Sequence, residues 1–502
     1  MKLKCIGLLS AFLAVLMLCL SACAAKNPTI PQGTSGATDS TPDTEPELPT
    51  EEPDDPLAPD FDPSELDFGG AEIRILQYEY QKSEFEATEG GMGDMLEQAV
   101  YSRNQQVETD LHIRFKFPTV AVNKQTPDQL FKAVENSVKT GDSSTMCHLV
   151  AQPSYYVTGI MVAGYYLNLG AIENSYVNLE KQYWLQSYVD ASVINDRYYF
   201  LTGMPCTSIL NRMEVVYVNN ALATDYFPET DIRNLVYDGG WTYDKMLEMI
   251  AVTGDGAATG TYGMTMAVNS LSIDGLLCAM ELSMVKTNDS GLPVVNINTQ
   301  HNTDIIEKLR QLYYHNESAL VTGNPTKAFA EKKAIFLLTL MMEVSKIYDS
   351  GIEYTLIPMP KYDENQKDYV VSAHDEYSIL SVCVNVENAQ MLTAVLEDLA
   401  YRSVDTTYQA TYIKTYSRRY AGNPENAKMF DYLFNHLNFS VGYIYSYVLG
   451  DCKNTPRNLI YPSTVTNIPV NVNSGIGSSF EALERNMESK LEDFIDFFFG
   501  KK

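Results

Sequence analysis

Residues 198–250 read YYFLTGMPCTSILNRMEVVYVNNALATDYFPETDIRNLVYDGGWTYDKMLEMI, and the reading of this stretch decides the fold. Val215-Val216-Tyr217-Val218 is a run of β-branched and aromatic residues that stops at Asn219-Asn220. That pattern predicts a short buried strand closed by a turn. A strand this apolar needs cover on both faces. Some twenty residues later a helix is expected to begin at Trp241-Thr242-Tyr243-Asp244-Lys245, with Thr242 as N-cap and Met246, Leu247, Met249 and Ile250 as its buried stripe. Trp241 is expected to pack against the helix it precedes rather than touch a ligand, because large aromatics mostly sit in cores.

The succession of apolar strand ending in Asn, helix, then Gly239-Gly240-Trp241-Thr242-Tyr243-Asp244 resembles the crossover of extracellular solute-binding proteins (family 1, the carbohydrate-binding group) of bacterial ABC importers. The resemblance implies that the chain leaves a first lobe just before this strand and enters a second, with Arg212, Met213 and Glu214 in or beside the first hinge strand. Similar echoes occur at Ser102-Arg103-Asn104, where a helix end leads into a strand, and at Leu167-Asn168-Leu169 with Val177–Trp184. Ala328–Leu338 resembles the family's helix ending in lysine before a strand whose tip, here Thr339–Glu343, meets ligand. Tyr354–Asp363, with Gln366 and Tyr369 behind it, resembles the strand and loop leading back to the first lobe. Where the family often has two tryptophans, this chain has Tyr183-Trp184, which weakens any stacking role for that pair.

Outward from the crossover, the N-terminus is built for export. Lys2 and Lys4 precede an apolar run from Ile6 to Leu20, followed by Leu20-Ser21-Ala22-Cys23, a signal ending in a lipobox. Cys23 is the expected lipidation site, which would hold the product on the outer face of the cell membrane. From Asn27 to Ala71 there are twelve acidic residues, nine prolines and no Lys or Arg. Such a segment cannot form a core and is expected to be an extended, self-repelling tether. Of the formal charge of −28, the tether carries −12 and Lys2, Lys4 and Lys26 carry +3, which leaves −19 on residues 72–502. A body this acidic repels nucleic acid and anionic lipid.

Eight cysteines include Cys5, Cys19 and Cys23 of the export signal, leaving Cys147, Cys206, Cys278, Cys383 and Cys452 scattered and without a C-x-x-C pair. This is neither a zinc pattern nor a disulfide framework, although it leaves room for one disulfide.

Glu72–Leu76 alternates polar and apolar and runs into Gln77-Tyr78-Glu79-Tyr80, a strand followed by a polar, aromatic loop. Helical spacing over Met95–Val107, a strand at Leu111–Phe115, a helix at Gln129–Lys139 and a strand at Cys147–Ala151 argue for parallel sheet flanked by helices. Asn195-Asp196 is expected to turn a tight hairpin. Helices are expected at Leu271–Met284, Thr303–Tyr314, Ala389–Tyr401 and Phe480–Phe499, and a strand at Ser378–Val382. The glycines of 254–263 form no phosphate cradle, since neither Gly-Lys-Ser/Thr nor G-x-G-x-x-G is present.

Histidines number six, and neither H-E-x-x-H nor G-x-S-x-G occurs, so metal hydrolysis and Ser-His-Asp catalysis have no anchor. His374-Asp375-Glu376 alternates on a strand and is not expected to converge on a metal. A carboxylate pair for glycoside hydrolysis is not decided by sequence, with 64 acids to choose from. Tyrosine, at 34 residues, supplies stacking faces and hydroxyls together, the combination that sugar rings require.

These readings set the expectations. The fold is α/β, two-lobed and periplasmic-binding-protein-like (type II), each lobe a mostly parallel sheet flanked by helices with a ligand cleft between. The domains are residues 1–23 (lipoprotein signal), 24–68 (disordered tether), 69–212 with 372–420 (lobe one) and 213–371 with 421–502 (lobe two). The function is that of a lipid-anchored, monomeric receptor without catalysis, cofactor or metal, which captures a polar solute, a sugar first of all, and delivers it to an ABC permease. A lipid-anchored carbohydrate hydrolase, or a ligand sensor without transport, is the alternative. Ligands sit outside the carboxyl ends of strands in such sheets. The candidate contacts are therefore Tyr78, Tyr80, Gln152, Tyr155 and Tyr377 from lobe one, Asn269, Glu343 and Tyr445 from lobe two, and Glu214 near the hinge. Of Tyr78 and Tyr80, at most one is expected to face the cleft.

Overall fold

The computed structural model describes residues 55–88, 94–121, 128–140, 146–461 and 475–500. The lipobox and Cys23 lie outside the described residues. In chain order the strands are β1 (Ala71–Tyr78), β2 (Ile113–Lys116), β3 (Thr119–Val120), β4 (Leu149–Pro153), β5 (Glu214–Asn219), β6 (Tyr262–Ala267), β7 (Val285–Thr287), β8 (Pro293–Val295), β9 (Ala319–Thr322), β10 (Ala334–Leu340), β11 (Tyr354–Pro358) and β12 (Ser378–Val382).

They build two five-stranded sheets and a small hairpin. One sheet runs β12-β4-β1-β2 with β3 also on β1, the other β11-β5-β10-β6-β9, and β7 pairs with β8. In the first sheet β1 is parallel to β2, β3 and β4, while β12 runs against β4. In the second, β6 is parallel to β9 and β10, and β5 runs against both β10 and β11. Each sheet thus holds one strand opposed to the other four. The opposed strands are β5 and β12, which directly follow the two passages of the chain between sheets, so the expectation of mostly parallel sheets holds except at these two entry points.

The crossover stretch folds as its residues dictate. All six residues of β5 are buried, as a strand covered on both faces must be. Asn219 does more than end it, since its side chain accepts from Leu222 N and caps the next helix. Thr242 caps the helix Tyr243–Ile250 by accepting from Lys245 N. Trp241 is fully buried, with Nε1 donating to Pro358 O at 2.9 Å and its ring 5.4 Å from that of Phe336. Asn195 and Asp196 turn the hairpin with φ of 52° and 58°, the left-handed pair that this tight turn requires.

The two crossing passages pair with each other. Met213 bridges Ala373 antiparallel, Glu214 N donates to Ser372 O and His374 N to Arg212 O, both at 2.9 Å. A third passage joins them, with Val371 N donating to His436 O and Asn438 N to Val371 O. The helical segment Val404–Tyr420 has i→i+5 geometry and packs on helices of both sheets' layers, with Tyr408, Tyr412, Tyr416 and Tyr420 recurring every fourth residue.

One difference concerns the segment assigned to the tether. From Asp55 to Phe68 the chain lies on the first sheet's layer. Lys181 Nζ donates to Ala58 O at 2.5 Å, Asn178 Nδ2 to Asp60 Oδ2 at 2.6 Å, and the rings of Phe61 and Tyr176 are 4.5 Å apart. Phe61, Leu66 and Phe68 are apolar side chains set among acids and prolines, and they supply the contact that composition alone concealed.

Candidate functional site

Glu214 and Ser372 stand opposite each other on the paired passages, as do Arg212 and His374, so all four side chains share one face of the ribbon. This face is the floor of a cleft between the carboxyl ends of the two sheets. A cavity of about 230 Å³ opens on it, lined by Glu214, Asp274, Ser372, His374, Asp375 and Arg457, with Tyr377, Phe439 and Tyr443 as its aromatic walls.

Three cations at the floor each meet a carboxylate. Arg457 reaches Asp274 through Nε at 2.5 Å and through Nη2. Lys453 bonds Asp375, and Arg212 lies 3.2 Å from Glu376. Burial works to raise the Asp375 carboxyl, but the Lys453 and Arg457 cations hold it well below the usual carboxylate range. Burial likewise works against the charge of Arg457, and Asp274 overrides it. Glu214 goes the other way, pushed up by burial and by the nearby Asp274 carboxylate. Ser372 Oγ lies 2.5 Å from one of its oxygens, and the other is buried without a partner. Burial pushes His374 down, leaving it neutral. Around Tyr155 the Lys453 ammonium sits 4.5 Å from the ring centroid, while burial and the neighbouring Asp451 and Asp375 carboxylates push the phenol up to about 12. The result is a site rich in hydrogen-bonding groups in which Arg212, Lys453 and Arg457 are each paired with a carboxylate, with the Glu281 carboxyl also on the cavity lining.

The sequence-derived candidates divide. Glu214 and Tyr377 line the cavity, and Tyr155 stands at its edge over Lys453. Tyr80 is 50% exposed beyond the end of β1, its ring 5.4 Å from that of Tyr78, which is buried. What separates them is the end of the strand: Tyr78 is its last residue, and Tyr80 lies in the tight helical turn Glu79–Glu84 that follows. Asn269, at the end of β6, is exposed and caps the helix Ser270–Ala279 through Leu271 N. Glu343, just past β10, pairs with Lys346 at 2.8 Å.

Two candidates point into the core instead of the cleft. Gln152 is fully buried and its amide donates to Tyr166 Oη at 2.7 Å, because alternation on β4 turns it inward. Tyr445 is also fully buried, with Oη donating to Ser192 O at 2.5 Å between Phe494 and Phe498. Tyr183 and Trp184 are core residues that hold Glu397, Trp184 Nε1 donating to Oε2 at 3.0 Å and the Tyr183 hydroxyl to Oε1. Asp375 pairs with Lys453 and Glu376 with Arg212, while His374 Nδ1 lies 3.5 Å from Asp375 Oδ1.

Sequence reasoning missed Asp274, Lys453 and Arg457. Their partners lie 183 and 78 positions away, and no local pattern joins them. The one available signal was the Arg457 and Lys453 pair in a chain poor in cations.

No protein-family model matches the sequence, and no curated protein matches it. Solved structures do match in fold. The galacto-N-biose/lacto-N-biose I-binding protein of Bifidobacterium longum, in complex with lacto-N-biose, superposes with a TM-score of 0.54 at 16% identity, over 85% of this chain and 98% of that one. An ABC substrate-binding protein of Listeria monocytogenes in complex with cycloalternan gives 0.52 at 12%, over 84% and 99%. Maltose-bound MalE3 of T. maritima gives 0.52 at 12%, over 84% and 100%. The chain is similar to these proteins in architecture, and its fold is the two-lobed, periplasmic-binding-protein-like one.

Proposed function

We propose that this protein is an extracytoplasmic receptor that captures an uncharged polar solute, a mono- or oligosaccharide, in the cleft between its lobes and delivers it to an ABC importer permease, with Cys23 as its lipid anchor. The observation that carries the reading is the composition of the cleft floor. Arg212, Lys453 and Arg457 are each matched by a carboxylate, while burial favours the uncharged forms of Glu214 and His374. Such a floor offers donors and acceptors to hydroxyls, with its cations already engaged by carboxylates, and Tyr80, Tyr155 and Tyr377 add ring faces. The structural neighbours named above hold sugars, which supports the ligand class.

The proposed role is binding without bond cleavage: Asp274 and Asp375 are tied up as ion pairs, and Glu214, 1% exposed, is held by Ser372. Hinge bending about the three paired passages would close the lobes on the solute.

A thermal-shift screen of the purified protein against neutral mono- and oligosaccharides tests this. A ligand at a hundred times its Kd adds roughly 2.7 kcal/mol of stability. One or a few sugars should raise Tm and be recovered intact. Cleaved sugar would convert the reading to a hydrolase, and a flat screen would move it away from carbohydrates.

A further inference from the structure

Lobe one is assembled from two stretches that are far apart in sequence. β1 to β4 come from the first, and β12 returns only after the chain has built the second sheet. At the end of this seam remote from the cleft, Cys147 just before β4 and Cys383 just after β12 bring their sulfurs to 3.4 Å, 236 positions apart. Both are buried. The backbone holds them there: Cys147 N donates to Ser137 Oγ at 2.8 Å and Cys383 N to His148 O at 3.0 Å, and Cys383 also bridges Tyr166. Of the other cysteines, Cys452 donates to Gly442 O.

We propose that Cys147 and Cys383 are a redox-active pair that closes to a disulfide on exposure to a disulfide oxidant, stapling the two stretches of lobe one. The sulfurs need to approach by about 1.4 Å to reach bonding distance, which side-chain rotation supplies where the regular ladder has ended. One cysteine thiolate attacks a sulfur of the oxidant, such as oxidised glutathione, expelling one glutathione thiolate and leaving a mixed disulfide. The second cysteine then attacks the protein-side sulfur and expels the other glutathione. The two cysteine protons end on the two released thiols, and the oxidant takes the two electrons. Cys147 is the better first nucleophile, since the hydrogen bond from Cys383, against the pull of burial, holds its thiol below the usual range. The bond closes a loop that contains the whole second sheet, the case in which a cross-link restricts the unfolded chain most.

The test is incubation of the full chain with oxidised or with reduced glutathione, followed by alkylation, non-reducing peptide mapping and thermal unfolding. The oxidised sample should yield a Cys147–Cys383 cross-linked peptide and a Tm higher than that of the reduced sample by roughly 5 °C or more. C147S and C383S should each lose both the peptide and the increment. The comparison of oxidised with reduced wild-type protein stands even where a variant folds poorly. Both cysteines fully alkylated after oxidation, glutathione adducts without the cross-link, or a cross-link joining other cysteines would each overturn the proposal.

Discussion

The guanidinium of Arg457 lies side-on to the carboxylate of Asp274, with Nε 2.5 Å from Oδ1 and Nη2 bonded to Oδ2, on the floor of the cleft. Asp274 is 4% exposed, so removing either partner leaves a charge in a place that water does not reach. R457A or D274A should each lower stability by about 3–5 kcal/mol, and the double variant by much less than the two combined. Denaturant unfolding of the four proteins of the cycle measures this. Additive losses would mean that the pair does not act as a unit.

Tyr80 and Tyr155 stand at the cleft without being core residues. Y80A and Y155A should each weaken solute binding roughly three- to ten-fold, the range for loss of one stacked ring, and leave Tm within a few degrees. Y377A should behave differently, since Tyr377 is buried against Tyr188 and Phe439 and its loss costs fold as well as affinity. Equal affinity in Y80A, Y155A and wild type would remove both rings from the site.

Glu397 and Asp398 lie buried side by side in lobe one, and burial pushes both carboxyls up to about 7. Their folded values stand above their unfolded ones, so the folded state holds these protons more tightly. The stability they contribute is complete below about pH 4 and is lost as pH rises to about 7. Stability should therefore fall between pH 5 and pH 7.5, and E397Q should flatten the fall by about one proton's worth. A stability that climbs across this window and is insensitive to E397Q would show that the three hydrogen bonds from Tyr183, Trp184 and Asn178 outweigh burial.

Much of the fold was legible in the sequence because its signals are local. Val215–Val218 had to be a covered strand, Asn195-Asp196 had to turn, and Thr242 had to cap, each from residues within a few positions. The cleft was legible only in part. Its floor is assembled from passages that meet through tertiary structure alone: Glu214 and Ser372 are 158 positions apart. Tyrosine abundance pointed to the right residue type without separating Tyr80 from Tyr445, because the same ring and hydroxyl serve a cleft edge and a core. Gln152 went astray through one step of strand alternation, and Asp55–Phe68 because three apolar side chains outweighed the composition around them.

A cleft whose cations are already engaged by carboxylates should take a neutral sugar, and calorimetric titration measures that preference. The solutes are the neutral sugar that gives the largest thermal shift, its uronic-acid counterpart and its amino-sugar counterpart, each measured at low and high salt. The neutral sugar should bind tightly, with a Kd that salt changes by less than about two-fold, and both charged counterparts at least about ten-fold more weakly, since each must place a charge against ions that are already paired. Preference for either charged sugar, or a Kd for the neutral one that moves ten-fold with salt, would contradict it.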